Sequence, residues 1–233
     1  EICAQDAEVI GFMDFTNWGP LAGASQHHPH SQRKSITGVL DPRQEKEIQW
    51  CKTQGETFSR NPFDELAEEE AILGQRVIYT DEVIILAAFA PKCSAELLIF
   101  PKSPLVNILE ISEKERRAIV SPMLKAFQAL FFYLGVTDLN LVTHMAPFSE
   151  REAARNYYRW HIHVYPRNSS LLTDQAGAEI GFDTAVISLT PEKVASRLKS
   201  WYQEGPNQKL VATLPDGKPN PVLVDNMSRL IGY

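Results

Sequence analysis

Four of the six histidines in the chain form two H-x-H pairs, His28-Pro29-His30 and His161-Ile162-His163. The other two stand nearby: His27 adjoins the first pair and His144 precedes the second. A neutral imidazole can attack phosphorus, relay a proton or ligate a divalent transition metal. On a strand, side chains alternate between faces, so an H-x-H places both rings on one face. Both pairs fall on segments that read as strands, a weak internal echo. A lone histidine is most often a hydrogen-bonded structural residue. Two H-x-H pairs give that bland reading less weight and leave nucleophile and metal ligand as the sharper ones.

The elements that would carry these residues follow from pattern. EVIGFMDF (8 to 15) reads as a strand, and Asn17 to Gln26, rich in Gly, Ala, Ser and Pro, as a tight connection. His28 to about Leu40 reads as extended. Pro42 opens a helix running to about Gln54. NPFDELAEEEAILG (61 to 74) reads as an acidic helix stopped by Gly74, a solvated face without chemistry. RVIYT and VIILAAFA, split by Asp81-Glu82, predict a hairpin, and ELLIFPK a third strand. Ser112 and Glu115 form a capping box that opens a helix over 113 to 134, stopped by Gly135. Leu139 to Thr143 and Tyr157 to Tyr165 read as strands. Thr190-Pro191-Glu192 opens the last helix, to about Tyr202, and the tail from Gly205 reads mostly as loop. This order predicts an α+β domain, an antiparallel sheet with helices packed on it.

The 233 residues suffice for one large domain or two small ones with a real core. The net charge is −6 and no run of Lys and Arg exists, so a nucleic-acid partner, which needs a basic face, is not expected. A small phosphate compound needs only a few donors and stays open. No apolar run is long enough to span a bilayer: AFQALFFYLG (126 to 135) is too short, and no membrane partner is expected. No signal peptide is visible. Cys3, Cys51 and Cys93 are odd in number and contain no C-x-x-C pair, so neither a disulfide framework nor a cysteine zinc knuckle is written here. The compartment reads as cytoplasmic. The numbering opens at Glu1, not Met, shortly before the first strand, and an N-terminal piece is expected to precede it.

The context of the first pair narrows the choice. In FTNWGPLAGASQHHPHSQ, Asn17, Gly19, Gly23, Ser25 and Gln32 stand at fixed offsets from H-P-H. This block resembles the signature of the galactose-1-phosphate uridylyltransferase family, within the histidine-triad superfamily: Asn, Gly, a small-residue stretch with Ser, then H-P-H-x-Q. THMAPF (143 to 148) and WHIHVYPR (160 to 167) resemble the family's H-x-x-P-F and H-x-H-x-x-P blocks. The stretch between the motifs and AGAEIGF (176 to 182) resemble it as well, so the likeness runs from about residue 9 to 203. It implies a histidine-triad-like antiparallel sheet in two tandem related halves. Residues 1–55 would be the C-terminal part of a first half, incomplete in this chain, carrying H-P-H-x-Q. Residues 56–233 would be the second half, carrying H-x-H.

The resemblance also implies chemistry. The family swaps a nucleoside monophosphate between sugar phosphates through a covalent nucleotidyl-histidine, a ping-pong route. Carried over, His30 is the nucleophile, and the backbone carbonyl of His28 holds its far nitrogen, with Pro29 stiffening the link. Gln32 shares the face of His30 and donates to phosphoryl oxygens, while Asn17 and Ser25 add hydrogen bonds. A neutral amide activates water poorly, so Gln32 points to transfer rather than hydrolysis. His144, His161 and His163 match a structural zinc or iron site, completed by a carboxylate on the helix after Pro42: Glu47, with Glu45 as rival. His28 also matches a histidine that binds a structural zinc in many members, but its partner ligands are not in this chain and Cys3 does not match them. His27 has no family role. Glu179 matches the glutamate near the hexose, whereas Ala178, Ala185 and Gln175 stand where the family places tyrosine, glutamine and lysine.

The expected function is therefore transfer of a nucleoside monophosphate, UMP in the family, between a sugar nucleotide and a hexose 1-phosphate. The protein would work as a homodimer without an organic cofactor. The altered closing segment keeps open a nucleotide phosphorylase of diadenosine tetraphosphate or ADP-sugar type, in which phosphate is the acceptor. A non-catalytic nucleotide- or metal-binding module is a different class of reading. A nucleotide hydrolase is disfavoured by Gln32.

Overall fold

Strand sequences of two kinds build the sheet. VIILA (Val83–Ala87) and LLIFP (Leu97–Pro101) are apolar throughout and almost wholly buried, as strands covered on both faces must be. The first, sixth and seventh strands instead alternate polar and apolar residues. A computed structural model describes residues 6–26, 30–167 and 181–204. Its strands are β1 (Val9–Trp18), β2 (His30–Thr37), β3 (Val77–Thr80), β4 (Val83–Ala87), β5 (Leu97–Pro101), β6 (Asp138–His144) and β7 (His161–Arg167). They form one antiparallel sheet in the order β2-β1-β6-β7-β5-β4-β3. The helices among the described residues are α1 (Pro42–Phe58), α2 (Pro62–Leu73), α3 (Glu113–Leu134), α4 (Arg151–Ala154) and α5 (Pro191–Glu204). The expected α+β architecture is the one the chain adopts.

Helices cover both faces of the sheet. On one, Ala126, Leu130 and Leu134 of α3 and Val194 and Leu198 of α5 pack on Phe12, Ile85, Leu97, Ile99 and Val164. On the other, Ile48 and Cys51 of α1 and Phe63 of α2 meet Ile84, Leu86 and Phe100. Truncating a wholly buried leucine such as Leu130 or Leu198 to alanine would cost about 2–5 kcal/mol. No helix among the described residues is long and apolar enough to cross a membrane.

The capping box and Gly135 bound α3 as expected, with the Ser112 side chain accepting from the Glu115 amide. Three expectations need correction. The helix from Pro42 does not stop before Gly55 but runs to Phe58. A Cβ at Gly55 would lie 2.7 Å from Tyr157 Cβ, so this glycine lets α1 lie close to the chain before β7. Next, α2 is not simply a solvated face. Glu70 is 1% exposed and paired with Arg76, and Asp64 grips the buried Arg159 through both oxygens, at 2.9 and 2.8 Å. Finally, Tyr157 to Trp160 is not strand, and β7 starts at His161. The Asn61 and Arg159 side chains take the carbonyls of Arg155 and Tyr158, so side chains replace the ladder there.

The loop after β1 is fixed by one buried carboxylate. Asp138 Oδ1 accepts from the Leu21 amide at 2.8 Å and Oδ2 from Thr137 Oγ1 at 2.6 Å. Gly19 has φ +87°, and a Cβ there would run into the Asp138 carboxylate. A Gly19→Ala substitution is expected to destabilise by about 2 kcal/mol, a melting-point loss of roughly 4–8 °C. Thermal unfolding followed by circular dichroism checks this; an unchanged melting point would mean that the loop does not depend on this contact.

Candidate functional site

Residues directly opposite in an antiparallel pair point to the same face. His30 of β2 lies opposite Asn17 of β1, Asn17 opposite Asn140 of β6, and Asn140 opposite Tyr165 of β7. One pleat along, Gln32, Phe15, Val142 and His163 make a parallel row. His144 and His161, opposite each other, begin the next. The two candidate chemistries thus share one sheet face. The His30 and His163 strands lie three inter-strand spacings apart, about 14 Å.

A cleft of about 710 Å³ opens on this face. Its floor is Met13, Phe15, Asn17, Asn140 and Val142; Arg43 and Gln44 of α1, Lys92, Arg167 and the 183–185 segment form the walls. That volume suits a nucleotide-sized ligand. Arg43, Lys92 and Arg167 put three cationic side chains around it, and Asp41 and Asp183 two carboxylates. Asn140 Nδ2 donates to Asn17 Oδ1 at 2.8 Å and to the Ala22 carbonyl at 2.9 Å. This leaves the Asn17 amide nitrogen as a donor toward the cleft. Gln44 Nε2 donates to the Met145 carbonyl at 2.8 Å and ties the first turn of α1 to the chain after His144.

Beside the cleft, Glu47, His144, His161 and His163 each bring one donor atom within 4.8 Å of the others. Glu47 Oε2 lies 2.8 Å from His144 Nδ1, and Oε1 lies 3.2 Å from His161 Nε2. Tyr158 donates its hydroxyl to Oε1 at 2.6 Å. His161 Nδ1 contacts the Arg159 carbonyl at 3.0 Å and His163 Nδ1 contacts Glu96 at 2.7 Å, so in both rings Nε2 is the nitrogen left for a ligand. Phe63 packs on His161 and Tyr165 stacks on His163. Burial acts to raise the Glu47 carboxyl, but the charge of His161 and the hydrogen bonds of His144 and His161 outweigh it and hold Glu47 well below the usual carboxylate range. Burial also pushes His163 down to about 4, the Glu96 hydrogen bond opposing it only in part. A neutral imidazole keeps the lone pair a metal requires.

His30 is half-buried at the head of β2, and Gln32 is exposed two residues on. Asn17 is on the cleft floor; Ser25 is exposed at the end of the loop after β1. Glu47 joins the histidines, whereas Glu45 is exposed and outside the cluster. His28 and Glu179 lie outside the described residues, as do His27, Cys3, Gln175 and Ala178. Sequence reasoning missed Asn140, Tyr158 and Glu96. Asn140 left a faint signal, a polar residue four positions before His144 and so on the same face of their strand. Glu96 left none.

Burial, and then the Glu47 charge, raise Tyr158 far above the usual range, so it stays protonated as a donor. Tyr158→Phe removes one hydrogen bond from a carboxylate that is otherwise held by imidazoles. It is expected to cost about 1.5 kcal/mol, roughly 3–6 °C of melting temperature. A calorimetric melting point equal to that of the unaltered protein would remove Tyr158 from the support of Glu47.

No family model matches the sequence. Over 190 residues it is 27% identical to the galactose-1-phosphate uridylyltransferase of Thermotoga maritima, covering 79% of this chain and 58% of that protein. Over 196 residues it is 22% identical to the ADP-glucose phosphorylase of Arabidopsis thaliana, covering 84% of this chain and 53% of that one. The chain therefore spans little more than half the length of these relatives. Among solved structures, a uridylyltransferase mutant superposes with a TM-score of 0.78 at 25% identity, over 87% of this chain and 66% of that one. An ADP-glucose phosphorylase from Arabidopsis thaliana with bound ADP-glucose shares the fold at TM-score 0.72 and 23% identity, over 84% and 60%. In sequence and in architecture, the chain is a relative of the galactose-1-phosphate uridylyltransferases and of ADP-glucose phosphorylase.

Proposed function

We propose that the chain carries the reacting face of a nucleotidyl transfer: a nucleoside monophosphate, UMP in the first instance, passes from a sugar nucleotide to a hexose 1-phosphate by way of His30. The observation that carries the reading is the row His30, Asn17, Asn140, with Gln32 one pleat along, beside a cleft flanked by Arg43, Lys92 and Arg167. A ring nitrogen of His30 attacks the α-phosphorus, the P–N bond forms, and the bond to the outgoing sugar 1-phosphate oxygen breaks. An acceptor phosphate oxygen then attacks the same phosphorus and the P–N bond breaks, which restores the imidazole. Gln32 and Asn17 donate to the non-bridging oxygens, where charge builds. Ser25 assists from the loop. The His28 carbonyl, as the resemblance has it, fixes the ring's far nitrogen, and Glu179 contacts the sugar. Residues 1–55 and 56–233 belong to two related halves in the same reading, and the homodimer and cytoplasmic setting rest on the resemblance too.

A second reading has inorganic phosphate as acceptor and an ADP-sugar as donor. It stays open because Ala185, which lines the cleft, stands where the resemblance calls for glutamine, so the hexose contacts of the first reading are not all carried over. Full-length protein incubated with α-phosphorus-labelled UDP-glucose or ADP-glucose separates the two. An acid-labile, base-stable label on the protein is expected, and the donor that gives it names the nucleotide. His30→Gly should abolish the label and lower turnover by roughly a thousandfold or more. Label retained in that variant would assign the wrong histidine, and no label from either donor would leave a binding module.

Glu47, His144, His161 and His163 would hold one zinc or iron ion. One ligand atom from each of the four lies within 4.8 Å of the others, and His144 and His161 lie 2.8 and 3.2 Å from the two Glu47 oxygens, against edges of roughly 3.4 Å in a tetrahedron of zinc–nitrogen bonds. When bound, the metal supplies directed bonds that cross-link α1, β6 and β7. At its distance from His30 it plays a structural part. Purified protein is expected to contain about one equivalent of zinc or iron, and His163→Ala less than about a tenth. Chelation should lower the melting temperature by roughly 5–10 °C. Background metal in the unaltered protein would refute the site.

A further inference from the structure

Glu96 is 3% exposed and sits just before β5, outside every motif in the sequence. Both of its oxygens are engaged by nitrogens. Oε1 lies 2.7 Å from His163 Nδ1, and Oε2 accepts from the backbone amide of Lys92 at 2.6 Å. Lys92 lines the cleft. The turn that carries both residues is closed by Ala88 and Glu96, whose amides donate to the carbonyls of Glu96 and Cys93, at 3.0 and 3.3 Å. Ser94 Oγ accepts from the Ser188 amide at 2.8 Å and braces the turn against the 181–190 segment.

We infer that Glu96 is a positioning residue that holds His163 as the tautomer protonated on Nδ1, so that Nε2 presents its lone pair to the cluster, while its second oxygen anchors the Lys92 turn. A carboxylate only accepts, so the ring nitrogen facing its free oxygen must be the one that carries the proton. A glutamine of the same shape has one acceptor and one donor end. If its oxygen stays on the Lys92 amide, which cannot change role, its NH2 faces His163 Nδ1. The ring must then accept at Nδ1 and carry its proton on Nε2, the nitrogen aimed at the cluster. Tyr165 stacks on the ring with planes 6° apart, which opposes escape by rotation. Supporting carboxylates of this kind commonly change metal affinity by about 10–100-fold.

The inference rests on the metal reading for its consequence but not for its first observable. In metal-stripped protein, nitrogen-15 resonances should report His163 protonated on Nδ1 in the unaltered chain and on Nε2 in Glu96→Gln. Zinc titration should then show an affinity loss of about 10–100-fold in Glu96→Gln. The same tautomer in both proteins, or a zinc affinity changed by less than about twofold, would overturn the role of Glu96. Should the unaltered protein bind no zinc at all, the metal reading falls, and the tautomer comparison still decides whether Glu96 sets the ring. Glu96→Asp, which keeps both acceptors on a shorter arm, guards against loss of folding in the glutamine variant. It should keep the Nδ1 proton, and an Nε2 proton there would count against the inference.

Discussion

A slip of one residue between β1 and β6 would turn Asn17 away from Asn140 and carry Phe15 to the opposite face from Val142. Side chains alternate with period two, so register decides which residues can meet at all. The observed register puts His30, Gln32, Asn17, Asn140, Tyr165, His163, His161 and His144 on one face. It puts Phe12, Leu139, Leu141, Ile162 and Val164 on the other, against α3 and α5. The same alternation thus feeds the main core and empties the opposite face for chemistry. Every feature of the site inherits that division, and α1 is what bounds it, since its first turn walls the cleft and its second brings Glu47 to the histidines.

Placing polar groups beneath helices carries an energetic penalty unless each is partnered. The chain meets this with shared contacts. Glu47 is reached by His144, His161 and Tyr158, and Glu96 by His163 and the Lys92 amide. Arg159 shows the same economy: Asp64 takes one end of its guanidinium, carbonyls take the other, and its own carbonyl takes His161 Nδ1. Such groups contribute less net stability than their number of contacts suggests, because desolvation offsets much of the Coulomb gain. What they contribute is placement: three imidazoles with ring centroids 4.9 to 5.1 Å apart, each oriented by a different element.

Much of this was legible from local pattern. The hairpin, the α3 capping box, the helix opened by Pro42 and the succession of strands and helices along the chain follow from short-range rules, and H-I-H on a strand required two rings on one face. The gathering of Glu47 with the histidines came through the family resemblance, not through spacing, because no local rule says which turn of α1 meets β6. Long-range polar pairing was illegible for the same reason. Glu70 and Asp64 look like solvated acids in a run of acids, and only the fold brings them to Arg76 and Arg159. Gly55 looks like a helix stop, and only the close approach of Tyr157 shows it to be a helix contact. Trp160 fails to extend β7 because its amide finds the Leu105 carbonyl instead of a strand partner.

The separation of the two histidine groups has a physical consequence. A cation held by His144, His161 and His163 would be too far from His30 to polarise a phosphoryl oxygen, since Coulomb effects over that span are weak beside those of adjacent donors. Its influence runs through the sheet. His163 and Val142 are opposite one another, Val142 and Phe15 likewise, and Phe15 faces Gln32. Fixing β7 to β6 and α1 therefore fixes the floor of the cleft and the wall that holds Arg43 and Gln44. A transfer step needs its nucleophile and phosphoryl donors placed to within a fraction of an ångström. Rigid strands cross-braced by a buried polar centre meet that need for the transfer proposed above, and α1 closes the same cleft from the side.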